Sequence, residues 1–541
     1  MKNLLTTLLL FVLSVQAYAQ DIPERQGVDL PQFVITGQEV ITFPPLKKLK
    51  PDHISTLSRE YINPLFAPED LIIKEIPSPL NAGHLLFDSA KVYNAGLEAA
   101  LGNNKLPRIK GYYVLPDGNT LLRIGAGFES TRDYLPKAGR LDAGGSVDFS
   151  HFLAEESGFL PNHTLFAEGK YRFGKLNFFG SPSLMEIKRS FSHAGFSMGV
   201  REITDRNINY EVKFSDDYLS IPKDDSLTSP GLTENYLGIE GRGKWILPIL
   251  EIGAEGSLFT QDVSRGDTSY KKNYVKLRGR GFLKPFEEMK AGGGLEYSQF
   301  DGISHIHPYI YFSMQINRNF SLVGEFNPST EFMTIREMTG KNRYTNLNGR
   351  GGYFMNRHFS LNAGTKYEYR HYFEISGGAG FFKADNFFFF SDAPGHSKHR
   401  GLFEPMSSNA NSYNGFAAIS IFPNEFGRLF AELRYNRITD TDGNLLPYHP
   451  EWSFFAEYAY NFSREFSGSL RTTYFSGAYT DAANNNQLNS VFDFGFRLAY
   501  KISDDSEIFL EASNLLGQDI FYLGGYREEQ FGIIGGINIR F

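Results

Sequence analysis

The feature that most limits how this chain can fold is an alternation of apolar and polar side chains that recurs from about residue 94 to residue 541. In 491–502 the apolar residues occupy every second position, namely Phe492, Phe494, Phe496, Leu498, Tyr500 and Ile502. The same pattern is present in 165–173, 429–435 and 452–462. Because successive side chains of a strand point to opposite faces, the pattern predicts β-strands with one apolar face and one polar face.

Such strands could build a soluble sandwich, a propeller or a barrel in a membrane. Their length approaches the roughly 9–11 residues that cross a bilayer at a tilt. The polar faces carry full charges, as a water-filled lumen permits, at Lys276, Arg278, Arg280 and Arg471. No repeat of propeller length is present. We therefore predict an all-β fold, a membrane-spanning antiparallel β-barrel of about 22–24 strands over residues 93–541, with an extended N-terminal arm.

The predicted strands are joined by short and long connections in alternation. Short polar turns are predicted at 117–119, 317–319, 356–358, 463–465 and 503–505. Longer links are predicted near 131–143, 222–233, 335–345, 392–412, 439–450, 477–490 and 516–530. In outer-membrane barrels the short turns face the periplasm and the longer loops face outward. We therefore expect the first strand, near 94–101, to start at the periplasmic end.

The N-terminus has the pattern of an export signal. Lys2 precedes an apolar run from Leu4 to Val15, which is too short to span roughly 30 Å of hydrocarbon. We expect residues 1–19 to be a signal peptide and residues 20–92 to be an extended, proline-rich periplasmic arm. The absence of cysteine excludes a disulfide framework and cysteine metal sites. The net charge of -7 gives no electrostatic basis for binding nucleic acid.

The C-terminus is the most specific signal in the sequence. Apolar residues alternate with other residues up to a final aromatic, at Gly535, Ile537, Ile539 and Phe541. This segment resembles the signal by which the barrel-assembly machinery recognises bacterial outer-membrane barrels. We interpret it as a closing strand whose apolar face contacts outer-membrane lipid.

Three segments resemble parts of TonB-dependent receptors. Glu511–Leu516 and Gly535–Phe541 look like the C-terminal hairpin of that family, and Phe33, Val34, Ile35, Thr36 and Gly37 look like its TonB box. The resemblance implies a barrel in the outer membrane of a Gram-negative-type bacterium that moves a solute into the periplasm. It also implies that TonB, or another periplasmic protein, binds the box by strand addition.

The chain departs from the family between the box-like segment and the first predicted strand. Only residues 38–92 separate the box-like segment from the first predicted strand, and nothing there resembles the plug domain of the family. Energy-coupled import is therefore one of several functions to consider. The others are a passive porin-like channel and a structural or interaction barrel whose lumen is filled by the arm or by a partner.

Two predicted loops have compositions suited to binding a ligand. The 392–412 link contains His396, His399 and Arg400, and the 516–530 link contains Tyr522, Tyr526 and Arg527. Tyrosine and arginine side chains can grip a polar ligand.

Other candidate sites are weaker. His305 and His307 share one strand face but fit a strand-end pair better than a metal site. Residues 440–444 resemble part of a calcium loop without its later acidic ligand. We find no catalytic motif, and we expect no enzymatic activity, no metal and no cofactor.

Overall fold

A computed structural model describes residues 93–154, 158, 160–181, 187–202, 207–222, 231–286, 288–347, 351–369, 372–392, 401–424 and 427–541. The expected signal peptide, arm and TonB-box-like segment lie outside the described residues, as does the expectation that the chain lacks a plug.

The first half of the wall consists of long strands that follow one another along the chain. They are β1 Ala95–Gly102, β2 Lys105–Asp117, β3 Thr120–Thr131, β4 Arg140–Leu153, β5 His163–Asn177, β6 Lys188–Glu202, β7 Ile208–Ile221, β8 Leu232–Ile246, β9 Leu250–Arg265, β10 Thr268–Phe286, β11 Met289–Phe300 and β12 Ile303–Asn317. Each pairs antiparallel with the next.

The second half contains one short helix. Its elements are β13 Phe320–Phe326, β14 Ser329–Met333, α1 Ile335–Lys341, β15 Tyr353–Tyr369, β16 Phe373–Asp392, β17 Phe403–Asn424, β18 Gly427–Thr439, β19 Trp452–Asn461, β20 Phe466–Phe475, β21 Val491–Ser503, β22 Ser506–Ser513, β23 Phe521–Leu523, β24 Tyr526–Arg527 and β25 Gly532–Arg540. The small β23–β24 hairpin is separate from the wall.

The wall closes on itself because β25 pairs with both β22 and β1. In the closing register Ile539 lies opposite Leu97 and Ile537 lies opposite Ala99. β13 and β14 are successive pieces of one wall position, since both pair with β15. The result is a closed antiparallel barrel of 22 strands, which confirms the predicted fold class.

The alternation in sequence becomes two chemically distinct faces of the wall. On β10, Leu277 is 51% exposed on the outer face, whereas the next residue, Arg278, points inward and pairs with Glu296. An outer band of exposed apolar side chains around a closed barrel fits an outer membrane. Among the described residues, no helix is long and apolar enough to cross a membrane.

Connection lengths identify the two ends of the barrel. The links at 118–119, 318–319, 462–465 and 504–505 are short. They lie at the same end of the barrel as Asn94 and Phe541, where the Asn94 backbone N–H donates to the Phe541 carbonyl at 2.7 Å. This is the expected periplasmic end. Most links at the opposite, outer end are longer.

Two predicted connections are wrong. The turn predicted at 356–358 lies inside β15, where the pairing register with β16 shifts between Asn356 and Phe359. Its polar residues therefore mark a β-bulge rather than a chain reversal. The 392–412 link ends earlier than predicted, because β17 begins at Phe403 and continues through small polar residues that show no alternation.

Candidate functional site at the outer mouth of the barrel

The outer connections fold over the barrel and meet in one buried cluster. We call it the outer-mouth cluster, and its buried members are Ala138, Leu176, Phe178, Phe179, Ile187, Tyr344, Phe403 and Tyr526. Phe178 and Phe403 are 0% exposed and Tyr526 is 3% exposed. Partly buried Tyr448 joins them from the β18–β19 connection. Burial of so many large rings makes this cluster a small hydrophobic core built from loops.

The cluster joins opposite sides of the ring. Strands about 4.8 Å apart at a tilt of about 40° give a 22-strand barrel a width of roughly 40 Å. The β5–β6 and β16–β17 connections lie nearly across this ring from each other. Tyr526 nevertheless packs between them, with ring centroids 4.9 Å from Phe179 and 6.0 Å from Phe403. Such contacts require the loops to extend across the outer mouth.

Three loops cross almost in backbone contact at Tyr526. Its hydroxyl donates to the Gly401 carbonyl at 2.5 Å. Gly525 has a φ of +85°, and a Cβ at this position would lie 2.3 Å from the Gly180 carbonyl oxygen. Glycine is therefore required at Gly525 both for the left-handed backbone and for the close approach.

The chain from residue 334 to residue 347, here called the α1 segment, carries the only helix of the described residues. Thr334 caps α1 and forms a capping box with Glu337. The carboxylate of Glu234 on β8, 1% exposed, accepts hydrogen bonds from the backbone N–H groups of Ile335 at 2.9 Å and Arg336 at 2.7 Å. The side-chain amide of Gln261 also donates to it. A buried carboxylate needs such donors, so Glu234 fixes α1 to the inner wall.

The far end of the α1 segment is fixed by a buried guanidinium. Arg189 on β6, 3% exposed, donates to the carbonyls of Arg343 at 2.7 Å and Thr345 at 2.9 Å. The backbone N–H of Asn346 then donates to the Phe403 carbonyl at 2.7 Å. The α1 segment therefore runs from the wall at β6–β8 to the start of β17.

The β18–β19 connection is fixed to the cluster by hydrogen bonds. Tyr448, with a φ of +59°, donates from its hydroxyl to the Asp392 carboxylate at 2.5 Å and accepts from the Gly524 N–H at 3.4 Å. Burial raises the pKa of Tyr448 well above its usual value. The ring of the next residue, His449, packs 5.8 Å from Phe387, and burial lowers its pKa to about 4. His449 is therefore neutral at physiological pH.

Below the cluster the inner wall carries paired charges. Glu296 is 1% exposed and accepts from Nε of Arg278 at 2.7 Å, with the Lys276 ammonium at 3.3 Å. Arg471 pairs with Glu457 at 3.0 Å. The predicted polar lumen face is therefore confirmed at these positions. Within the described part of the chain, no group of three or more His, Asp or Glu side chains could hold a metal ion.

Comparison with known proteins gives matches at the level of structure alone. No family model matches the chain, and no curated protein matches it. The siderophore receptor PirA from Acinetobacter baumannii matches with a TM-score of 0.65 and 10% identity, covering 84% of this chain and 81% of that one. The FrpB iron transporter from Neisseria meningitidis, F3-3 variant, matches with a TM-score of 0.66 and 11% identity, covering 85% and 83%. The copper transporter OprC matches with a TM-score of 0.64 and 11% identity, covering 83% and 80%.

The chain folds as a barrel of the TonB-dependent-receptor type. This confirms the fold that the C-terminal resemblance implied.

The receptor-type barrel places three predicted ligand-loop residues in the β22–β25 connection. Tyr526 is in the outer-mouth cluster. Tyr522 packs edge-on against Phe475 at 5.9 Å, and Arg527 pairs with Asp519 at 3.1 Å. Their role in ligand binding stays a prediction, and His396, His399 and Arg400 lie outside the described residues.

The other predicted residues are in the wall or in turns of the receptor-type barrel. Gly535, Ile537, Ile539 and Phe541 lie in β25 or directly after it, and Phe541 is 69% exposed. Asp440 accepts from the N–H groups of Asp442 and Asn444, both at 2.9 Å, so this carboxylate closes a turn.

The histidine pair sits on the inner wall. The rings of His305 and His307 stack at 5.9 Å, and Nε2 of His307 is 2.8 Å from the Asn356 amide oxygen.

Sequence reasoning missed the outer-mouth cluster of the receptor-type barrel. Its rings come from loops separated by up to several hundred residues, and no local pattern connects them. The aromatic residues within turn-rich stretches, such as Phe178, Phe179 and Tyr448, were the available signal.

Proposed function

We propose that this chain moves a solute across the outer membrane into the periplasm, and that the outer-mouth cluster is the closed state of its gate. The observation that carries the proposal is the packing of Tyr526 between loops from opposite sides of the ring. A passive porin-like channel needs a water-filled path. A dry aromatic cluster across the mouth supports a gated path instead.

Metal complexes are the solutes to test first. The compared structures are named as a siderophore receptor, a copper transporter and an iron transporter. Energy for opening would come from TonB, which pairs with the box-like residues Phe33, Val34, Ile35, Thr36 and Gly37 by adding a strand. The closing strand, with Gly535, Ile537, Ile539 and Phe541, would engage the barrel-assembly machinery and then outer-membrane lipid.

The direct test places a photoreactive residue at Val34 in living cells. We expect a crosslink to TonB that is lost when Ile35→Pro removes a backbone donor from the added strand. Uptake of radiolabelled iron and copper complexes should fall with the crosslink. Heat-dependent mobility of the folded barrel on gels controls for insertion. Correct insertion with no TonB crosslink and no uptake would contradict the proposal.

A structural or interaction barrel is the second candidate, and the same closed mouth favours it. Such a barrel would move no solute, and its arm would dock an envelope partner. Capture of a protein other than TonB at Val34, together with no uptake of any tested complex, would support this function.

A further inference from the structure

We propose that the barrel wall has a lateral opening near its outer end, between β12 and β14, and that the acyl chain of an outer-leaflet lipid enters there. Below this level β13 joins β12 to β15, so the ring is closed. Above it β14 pairs with β15, and no strand of the described residues pairs with 303–309 on the side away from β11. The proposal goes beyond the transport function and does not rest on it.

Two prolines mark the level at which β12 loses its neighbour. Pairing of β12 with β13 ends where Ile310 lies opposite Phe326. The same register, continued by two residues, would place Pro308 opposite Pro328. Neither proline has a backbone N–H to donate across this position, and proline in a sheet is confined to edges and bulges. The sequence therefore specifies an unpaired edge, which Pro308 also protects against strand addition by another protein.

β14 leaves the wall and lies against its inner face. The backbone N–H of Thr330 donates to the Glu296 carboxylate at 3.2 Å, and the Thr330 carbonyl accepts from the Tyr274 hydroxyl at 3.1 Å. Glu296 and Tyr274 both point into the lumen from β11 and β10. We call β14 and its partner residues 353–356 of β15 the inner strip. This strip is a second layer inside the wall, so it does not cover the edge of β12 from outside.

The wall and the inner strip meet through aromatic rings. Phe300 on β11 stacks on Phe354 of the strip with centroids 4.8 Å apart, and it lies 5.1 Å from Phe332. The ring of His305 on β12 stacks on Phe354 at 5.7 Å. All four side chains are only partly buried. Because no β-ladder joins the two layers within the described part of the chain, side-chain movements are enough to admit an acyl chain between them.

The edge of β12 is open toward the lipid. On the outer face Ile306 is 69% exposed and Ile310 is 58% exposed, and Pro308 between them is exposed as well. Backbone N–H and C=O groups without partners are costly in hydrocarbon. A lipid lowers this cost, because oxygens of its head group can accept from N–H groups along the edge while its acyl chain contacts the isoleucines.

The depth of the opening fits a lipid of the outer leaflet. Tyr297 on β11 lies opposite Ile306, and its hydroxyl is 3.2 Å from the Ser304 hydroxyl on the outer face. Tyrosines of outer-membrane barrels gather at the level of the head groups. The upper part of the edge is therefore at this level, and Pro308 is within reach of the acyl chains below it.

A photolabel confined to the bilayer tests the opening. The full-length protein is placed in phosphatidylethanolamine vesicles that contain a phospholipid with a diazirine close to the carboxyl end of one acyl chain. Adducts are then located by mass spectrometry. We expect adducts on Ile306, which faces lipid, and also on His305 and Phe354, which lie inside the wall. Label on the lipid-facing residues alone would overturn the proposal.

Two residues of the unbroken wall are the controls. Leu277 is 51% exposed on the outer face of β10 and should be labelled as strongly as Ile306. Phe475 faces inward at the outer end of β20, which pairs with both neighbours there, and it should carry about tenfold less label than Phe354. Equal label on Phe475 and Phe354 would show that the probe enters by another route, and this too would overturn the proposal.

A variant with both backbone donors restored should close the opening. In Pro308→Val combined with Pro328→Val, the chain beyond β13 can continue its ladder with β12. We expect the label on Phe354 to fall several-fold while the label on Ile306 stays the same. Pro116→Val, within a paired stretch of β2, is the matched control and should change neither label.

Heat-dependent gel mobility shows whether each variant is folded. Unchanged label on Phe354 in the folded double variant would overturn the proposal. All of these readouts are adducts on the purified chain, so they are distinguishable from any failure of TonB coupling or of uptake.

Discussion

The barrel wall and the outer-mouth cluster use the same residue types, but the wall depends on the local order of residues and the cluster depends on contacts between distant residues. In the wall, each residue's environment follows from its neighbours in sequence, so Leu277 faces outward and Arg278 faces the lumen. In the cluster, Tyr344 and Tyr526 stack with centroids 3.5 Å apart although they are distant in the chain. The wall is therefore specified locally, and the cluster depends on a few long-range contacts. Loss of the cluster should leave the wall intact.

The largest effect is expected for Tyr526→Ala. This change removes a buried ring and its hydrogen bond to Gly401, and large-to-small substitutions of this kind cost about 3–5 kcal/mol. We expect much faster hydrogen exchange at Tyr344, Asn346 and Phe403, with unchanged protection in the wall. Tyr171→Ala, on the outer face and 54% exposed, is the matched control. Loss of the barrel's heat-dependent gel mobility would contradict the separation of wall and cluster.

Acidification should loosen the β18–β19 connection through His449, and this connection holds Tyr448 against the outer-mouth cluster. The pKa of His449 is about 4 in the closed loop and about 6.5 when exposed, so the open state binds more protons between these values. Closure therefore loses stability as the pH falls from about 6.5 to about 4, by at most roughly 3 kcal/mol. Burial raises the pKa of Glu528, which has the opposite sign and partly offsets this loss.

His449→Asn isolates the histidine contribution. Asparagine can still donate to the Pro447 carbonyl, which lies 2.7 Å from Nδ1 of His449, but it does not titrate. Opening frequency in planar bilayers should rise several-fold from pH 7 to pH 4.5 in the native chain and change less in the variant. The same pH response in both proteins would exclude His449 as its source.

A smaller effect is expected for Glu234→Gln. A glutamine has one acceptor oxygen, so it cannot accept from Ile335, Arg336 and Gln261 as the carboxylate does. Loss of one such bond costs about 1–3 kcal/mol. We expect proteolytic cleavage within the α1 segment to increase about tenfold. Glu457→Gln, at an inner-wall glutamate that pairs with Arg471, should leave this cleavage unchanged.

The smallest effect is expected on the outer face of the wall. Leu277→Ala shortens a side chain that is already 51% exposed, so no buried cavity forms. Hydrogen exchange in the cluster and heat-dependent gel mobility should both match the native chain. A cluster that loosens in this variant would mean that wall and mouth are coupled.

The alternation of residues was sufficient to predict the wall, because a strand's two faces are set by its own period. The short turns at 117–119 and 503–505 were also predictable from their residues. The turn predicted at 356–358 from polar composition alone was wrong. A bulge and a turn both favour residues that tolerate irregular backbone, so composition does not distinguish them. The prediction of a link over 403–412 was wrong for the same reason, because β17 begins at Phe403 and its first half consists largely of polar residues.

The site was less predictable than the wall. Tyr526 was selected as a loop residue for its composition, but its contacts with Phe179 and Gly401 depend on how distant loops cross. The role of Glu234 depends on a helix that belongs to another part of the chain. No local pattern carries either relation, because both form only after the barrel has closed.

Ionic conductance in a planar lipid bilayer tests the central claim most directly. The full-length native chain should be closed nearly all the time, and Tyr526→Ala should show frequent openings of large conductance from the same folded barrel. The Tyr171→Ala control should behave as the native chain does. A steadily open native chain, or a Tyr526→Ala variant as silent as the native one, would contradict the claim that the outer-mouth cluster is the gate.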